Sequence, residues 1–599
     1  MSRDADDQTP PGGETRGAEP KAAPGKPFDP PEEAGIVAGE SGAVVGAAEG
    51  EFPADRPAAP SPAPGPAENT GRGAFLVGAG ILLSRIVGLV RQRVFAYYFG
   101  LSASGDAFTA AFRIPNFLQN VFGEGALSAS FIPVYAKLLA KGEEEEADRV
   151  AGAVFTLLAL VTSTLVLAGV LSAPYLTDLI APGFDGEKRD LTVGLVRVFF
   201  PGAGLLVMSA WCLGILNSHR RFFLSYTAPV VWNLAIIAAL VLAGTRARAF
   251  PSEDLAAWGE VARYTAWGSV VGSALQFAIQ LPTVFRLLGG LRLALATRNT
   301  NVRTVVRNFI PVFVSRGVVQ ISAFVDAMIA SFLGDGPVQA LMYTQSLYTL
   351  PVSLFGMSVS AAELPAMSSA VGEKSEVAAE LRRRLNNGLR QISYFVVPSV
   401  VGFVALGDVM VGALYRTGRF TPDDVLYVWG ILAGSAVGLL PTTQGRLYAS
   451  TFYALHDTRT PFRFAVLHVV LAIILGWVSA LYLPPLLGVE MRWGAVGLTA
   501  SAGVAGWIEY VLLRRKLNRL IGQTGLGLGF AAKTWAAAVS CALVALGLKY
   551  LTADLHPIIV AALVLGPFGL LYFGVTAALG LPEANAVVGR FTRVLRRGR

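Results

Sequence analysis

The chain has 599 residues, 53% of them hydrophobic and 15% charged, with a net charge of +8. A soluble domain carries about 25% charged residues, so this much apolar surface points to the bilayer as solvent. Two cysteines, Cys212 and Cys541, exclude a disulfide scaffold, and four histidines without ligand spacing leave no candidate metal site.

Residues 1–70 are a different material. They hold 13 of the 34 prolines, ten glycines, and thirteen acidic against five basic residues, a net of −8 that leaves +16 for the remainder. Such a segment buries too little apolar area to offset its ordering entropy and is expected to be a disordered, acidic cytoplasmic tail. It lacks the basic start and apolar core of a signal peptide.

From Phe75 onward, apolar runs alternate with polar breaks, near 74–98, 106–138, 150–173, 192–217, 226–244, 262–286, 305–333, 337–370, 388–406, 423–454, 462–483, 493–514, 530–550 and 557–580. Each approaches or exceeds the roughly 20 residues a helix needs to cross about 30 Å of hydrocarbon. The strict alternation of a barrel is missing. The expected fold is an all-α polytopic membrane protein with about 14 transmembrane helices. Alternate breaks carry 26 Lys and Arg residues against 8 in the others, which predicts both termini in the cytoplasm. These cations suit anionic headgroups, not nucleic acid.

A weak internal repeat is visible. Ser84-Arg85 recurs as Ser315-Arg316, Pro115 as Pro351, Phe122-Gly123 as Phe355-Gly356, and Pro133 as Pro365. It predicts two pseudo-symmetric six-helix bundles, 71–300 and 301–525. Two further helices over 526–582 and a basic cytoplasmic tail over 583–599 complete the chain.

Ionisable residues inside such runs are costly and face a cavity or a partner. Arg85, Arg91 and Arg93 lie in the first run, and Asp106, Arg113 and Glu124 in or beside the second. Arg85 and Arg91 are about 9 Å apart along a helix but not on one stripe. Pro115 frees a backbone carbonyl, and Asn116 supplies a polar group at that level. Later runs add Arg316, Asp326, Glu363, Asp408, Arg446 and Glu509. Arg91, Arg93 and Arg446 have the alternative of snorkelling to headgroups. Asp106 has that of capping its own helix, and Asp408 and Glu509 that of lying at the interface. Arginine suits a pyrophosphate because its planar fork donates paired hydrogen bonds and stays charged when desolvated.

The stretch from Ser84 to Arg91 (Ser-Arg-Ile-Val-Gly-Leu-Val-Arg) resembles the lipid II flippase family (MurJ, also called MviN). So do Gly105-Asp106-Ala107-Phe108, Phe112-Arg113-Ile114-Pro115-Asn116, Phe122-Gly123-Glu124-Gly125-Ala126 and Phe131-Ile132-Pro133. The Ala181-Pro182-Gly183-Phe184 loop, Gln320-Ile321-Ser322, Gly418-Arg419-Phe420-Thr421 and Asp457-Thr458-Arg459-Thr460-Pro461 are similar too. The resemblance runs from about 74 to 580.

It implies a member of the multidrug/oligosaccharidyl-lipid/polysaccharide exporter superfamily that exports lipid-linked peptidoglycan precursor across the bacterial inner membrane by alternating access. No covalent chemistry and no cofactor are implied. The family's cavity positions fall on Ser84, Arg85, Arg91, Asp106, Asn116, Glu124 and Arg446, with Arg113 at a basic position. The chain departs from the family where charges are usual: Gln92, Gln119, Asn120, Gln345, Ser346 and Thr349. Arg316, Asp326 and Glu363 are candidates to compensate. The expected partners are a lipid-linked glycan pyrophosphate, membrane lipids and cell-wall synthesis proteins, with no nucleic acid. The alternatives are a flippase for another polyprenyl-linked glycan, a cation-coupled drug antiporter of the same superfamily using Asp106 and Glu363, and a scaffold for glycan synthesis docking through residues 1–70. No Gly-x-x-x-x-Gly-Lys-Ser/Thr loop is present.

Overall fold

The computed structural model describes residues 70–251, 254–290, 298–369 and 373–584. The expected acidic tail, up to residue 69, and the basic end, from residue 585, lie outside the described residues. All described elements are helical. A first set comprises α1 (Thr70–Phe99), α2 (Ala103–Asn120), α3 (Ser128–Ala140), α4 (Glu144–Leu171), α5 (Ala173–Ile180), α6 (Gly186–Ser218), α7 (Phe222–Ala247) and α8 (Leu255–Leu287). A second comprises α9 (Thr300–Ala330), α10 (Pro337–Pro351), α11 (Ser358–Ser368), α12 (Lys374–Tyr415), α13 (Pro422–Ala454), α14 (Arg459–Leu481), α15 (Leu483–Leu487) and α16 (Gly494–Ile521). Two helices follow, α17 (Leu528–Leu551) and α18 (Pro557–Ala578).

Eleven helical stretches among the described residues are long and apolar enough to cross a bilayer. The three further runs read from the sequence fall on α1, on α2 through α3, and on α9, which are not among those eleven. The repeat is written in the backbone. α2 passes into α3 through a π-helical turn, Val121–Leu127, and α10 passes into α11 through a second, Val352–Met357. Each contains the Phe-Gly pair singled out in the sequence, Phe122-Gly123 and Phe355-Gly356. π turns are rare, and these two stand at matching places in the two sets of helices.

Packing explains why so many runs carry glycine. A Cβ on Gly503 of α16 would lie 2.6 Å from the backbone nitrogen of Gly438 on α13. Helices in lipid have no hydrophobic drive toward one another, so small residues that let backbones approach supply the contact. The largest core spans both sets of helices, from Phe99 and Phe108 to Tyr394, Tyr415 and Phe452, whereas a second gathers Phe131, Tyr135 and Trp211 within the first set. Trp211 donates its indole N–H to the Ala151 carbonyl at 3.1 Å, which ties α6 to α4.

Candidate substrate cavity and the contact between the two helix sets

α1 carries Arg91 to a space bounded by α2, α7 and α10. The guanidinium lies 5.7 Å from the centre of the Phe112 ring and 5.5 Å from that of Trp232. The two rings are stacked, 5.7 Å apart and 12° from parallel. Such a platform stabilises a cation by about 0.5–2 kcal/mol and leaves the edges of the guanidinium fork free to donate. Arg91 is turned onto these rings, not out to headgroups. With Gln92, Thr109, Phe112, Ile236 and Met342 it lines a small cavity.

Beside the cavity, the uncharged departures from the family pattern bond to one another. Gln92 donates from Nε2 to Ser346 Oγ at 2.7 Å, and the Tyr415 hydroxyl donates to Gln92 Oε1 at 2.9 Å. Gln345 donates to Thr349 Oγ1 at 3.1 Å. A neutral network joining α1 to α10 and α12 thus stands where the family is expected to place charges. Restoring one charge leaves it without a counter-charge in a low-dielectric interface, whereas restoring both creates a pair. Gln92→Asp and Ser346→Arg are therefore each expected to lower the thermal midpoint. The double variant is expected to recover part of the loss, with a coupling of about 0.5–3 kcal/mol. Strictly additive losses would show that the two positions do not face each other.

Asp106 is fully buried, at the N-terminal end of α2. It does not cap its own helix: Ser102 does that, accepting from the Gly105 N–H at 3.2 Å. Asp106 instead caps the opposite set. Its carboxylate accepts from the Gly336 and Gln339 N–H groups of the first turn of α10, at 2.7 and 2.8 Å. These are donors that a helix start otherwise leaves unpaired. Lys188 of α6 donates to Asp106 at 3.0 Å, to Asp335 at 2.7 Å and to the Gly334 carbonyl at 3.2 Å. A Cβ at position 105 would fall 1.8 Å from Gln339 Oε1, so any larger residue there must push the Gln339 side chain aside.

The same end of the bundle carries further links. Arg93 donates to the Ala413 and Leu414 carbonyls, at 2.7 and 2.8 Å, and so satisfies the C-terminus of α12. The Arg419 backbone donates to the Tyr97 carbonyl at 3.0 Å, and its guanidinium stacks 4.0 Å from the Trp258 ring. The Gly183 N–H donates to Ser331 Oγ at 2.9 Å. The Ala181–Phe184 and Gly418–Thr421 motifs are thus parts of one latch. Close by, the two hydrogen bonds from Arg189 hold the Asp178 carboxyl on α5 below its usual range.

The remaining expected site residues scatter. Ser84 and Arg85 are half-buried on α1, one to two turns before Arg91. Arg113 is half-buried on α2 and in the field of Asp326 on α9. Asn116, also half-buried, lies just before the π turn. Glu124 is in that turn and Arg316 on α9, with side chains outside the described residues. Glu363 does not join the Arg91 cavity: on α11 it faces Arg384 of α12 at 3.5 Å. Arg446 lines a second small space between α13, α14 and α16. Glu509, read as interfacial, lines that space too, and Asp408 is paired with Lys549 of α17 at 2.5 Å. Sequence reasoning missed Lys188, Trp232 and Tyr415, none of which lies in a motif that marks its role.

The chain matches the family model for lipid II flippase MurJ over residues 95–566. It is 30% identical over 537 residues to the lipid II flippase MurJ of Burkholderia cenocepacia, covering 86% of this chain and 98% of that protein. Among solved structures it is similar to a lipid II flippase MurJ in an inward closed conformation. There the TM-score is 0.67 at 25% identity, over 84% of this chain and 98% of the other. A multidrug resistance transporter of the MATE family, in an inward-facing conformation, shares the fold with a TM-score of 0.54 at 16% identity, over 72% and 95%.

Proposed function

The chain belongs to the lipid II flippase MurJ family, and from that membership we propose that it moves lipid II, a polyprenyl-pyrophosphate disaccharide-peptide, from the cytoplasmic to the outer face of the bacterial inner membrane by alternating access. It is a multi-pass transporter and not an enzyme. All fourteen runs act as spans, grouped as 71–300, 301–525 and 526–582, with both termini in the cytoplasm. On that orientation α1 ends at the outer face, so the latch built on Asp106, Arg93 and Arg419 closes the outer side.

The observation that carries the reading is Arg91 on its aromatic platform, beside a cavity between the two helix sets. A lipid pyrophosphate is a desolvated anion that needs a fixed cation with paired donors. The space beside Arg91 is far too small for a disaccharide-peptide in this conformation. Passage of the whole head therefore requires the helix sets to part, which gives the latch its purpose. Arg85 and Arg113 supply further positive charge along the path, while Ser84, Asn116, Glu124, Arg316, Glu363 and Arg446 serve it at other levels. The neutral Gln92–Ser346 pair favours a second reading, a different glycan on the same polyprenyl pyrophosphate.

Reconstitution tests both. In liposomes the protein is expected to translocate a fluorescent undecaprenyl-pyrophosphate disaccharide-peptide, and a parallel series with other sugars ranks the glycans. Failure to move any of them, together with export of an organic cation, would replace the reading by the drug antiporter.

A further inference from the structure

The cavity beside Arg91 presents three polar side chains, those of Arg91, Gln92 and Thr109, in an otherwise apolar lining. Gln92 is engaged at both ends, by Ser346 and by Tyr415. Thr109 is not. It is 3% exposed, and its Oγ1 has no hydrogen-bond partner among the described residues. A threonine inside a helix commonly donates to the carbonyl four residues back. The buried Thr265, Thr443 and Thr451 do so, onto Val261, Leu439 and Leu447 at 2.7, 2.9 and 2.9 Å. Thr109 makes no such bond, although a buried hydroxyl without a partner is destabilising. An orphaned donor of this kind marks a place for an acceptor. Other orphaned hydroxyls, such as those of Ser225 and Thr344, do not line this cavity.

The register of α2 sets where this hydroxyl stands. Thr109 and Phe112 are three residues apart and so are neighbours on the helix surface. Phe112 is one of the two rings that hold the Arg91 guanidinium, 5.7 Å from the ring centre. Three residues to the other side lies Asp106, whose carboxylate caps α10. Along α2 the latch, the hydroxyl and the aromatic platform therefore follow one another at steps of about 4.5 Å. Met342 of α10 closes the cavity from the opposite set of helices.

We propose that Thr109 and Arg91 form a phosphate subsite directly inside the latch, in which the Thr109 hydroxyl donates to an anionic phosphate oxygen whose charge Arg91 balances. The proposal rests on the transport reading above, and it names the part of the lipid that reaches the inner side of the latch. The donor set suits an anion. A guanidinium only donates and a hydroxyl can donate, and among the described residues no carboxylate lines the cavity to receive a cation. A neutral hydroxyl of a sugar would leave the guanidinium charge unanswered, whereas a phosphate oxygen answers it and takes the second donor as well. The surrounding rings keep the local dielectric low, so each donor counts for more than it would at the surface.

Two substitutions separate the donor from the shape. Thr109→Val keeps the outline and removes the hydroxyl, and Thr109→Ser keeps the hydroxyl. The full-length chain in nanodiscs is titrated with undecaprenyl pyrophosphate, and with undecaprenol, which has the chain and no phosphate. Thr109→Val is expected to weaken pyrophosphate binding about tenfold or more, and Thr109→Ser to stay within about threefold of the unsubstituted protein. Undecaprenol should bind all three alike. The thermal midpoint of ligand-free Thr109→Val should not fall, because the substitution removes a hydroxyl that has no partner. Inorganic pyrophosphate added as a competitor should displace the lipid from the unsubstituted protein at lower concentration than undecaprenol does, which assigns the recognition to phosphate and not to the chain. Equal pyrophosphate binding by Thr109→Val and the unsubstituted protein would overturn the proposal and leave the hydroxyl to core packing. So would a lowered midpoint with equal loss of both lipids, the mark of a folding role. If Thr109→Val weakens pyrophosphate binding as described while the reconstituted protein moves no glycan, the flippase reading fails and the phosphate subsite stands.

Discussion

Asp106→Ala is expected to abolish complementation of a strain lacking its own flippase, and to do so by emptying the latched state. The carboxylate is completely buried and accepts three hydrogen bonds that converge from two helices, two from the first turn of α10 and one from Lys188 of α6. Removing it uncaps α10 and leaves the Lys188 ammonium, itself 11% exposed, with an exposed carboxylate and one carbonyl. Breaking a buried pair from one side costs about 3–5 kcal/mol. If that cost falls on the latched state alone, the balance between latched and open forms moves by roughly 10²- to 10⁴-fold. Asp106→Asn keeps the shape but turns an amide NH₂ toward backbone N–H groups, so it is expected to recover little. Gly105→Ala provides an independent route to the same outcome, because the added methyl collides with Gln339 without touching any charge. A spin-label pair across α2 and α10 reads the result: both variants should shift the distance distribution to longer values. An unchanged distribution in both would show that Asp106 does not hold this end shut.

That contact explains what the sequence could and could not disclose. The helical, membrane-spanning architecture was legible because hydropathy is a local property summed over about 20 residues. The broken helices were half-legible: Phe122-Gly123 and Phe355-Gly356 announced the two π turns as a repeat, not as a backbone geometry. Capping was the alternative weighed for Asp106 beside a cavity role, and it is a cap, but of another helix. Its partners lie 230 and 233 residues away, and the backbone N–H groups it binds have no sequence identity. The partners of Arg93 and Arg419 escaped for the same reason, since both side chains donate to carbonyls. Glu509 was placed at the interface because the apolar run ends near 514. α16, however, continues to Ile521 through its basic last turns, which sets Glu509 well inside the helix, against a histidine 41 residues earlier. Gln92 and Ser346 were noticed as departures, yet only the fold reveals that they depart together.

The second large effect is expected at Arg91. Its charge is already positioned, held by stacked Phe112 and Trp232 rings beside a cavity, so little ordering cost falls on substrate binding. Arg91→Ala removes the cation that would meet the pyrophosphate. A charge-assisted hydrogen bond is worth about 1.5–3 kcal/mol, and losing a bidentate pair weakens binding by roughly 10²- to 10⁴-fold. Arg91→Lys separates charge from geometry. An ammonium keeps the charge but neither lies flat on the rings nor offers a fork, so it should retain a small part of the activity. Trp232→Leu approaches the same question from the platform: with the guanidinium intact but unsupported, binding should weaken about five- to thirty-fold, the worth of one cation–π contact of roughly 1–2 kcal/mol. Titration of the purified protein with an undecaprenyl-pyrophosphate analogue should therefore rank the variants, from unsubstituted through Trp232→Leu and Arg91→Lys to Arg91→Ala. Equal binding by Arg91→Ala and the unsubstituted protein would remove Arg91 from the substrate path and reduce the platform to core packing.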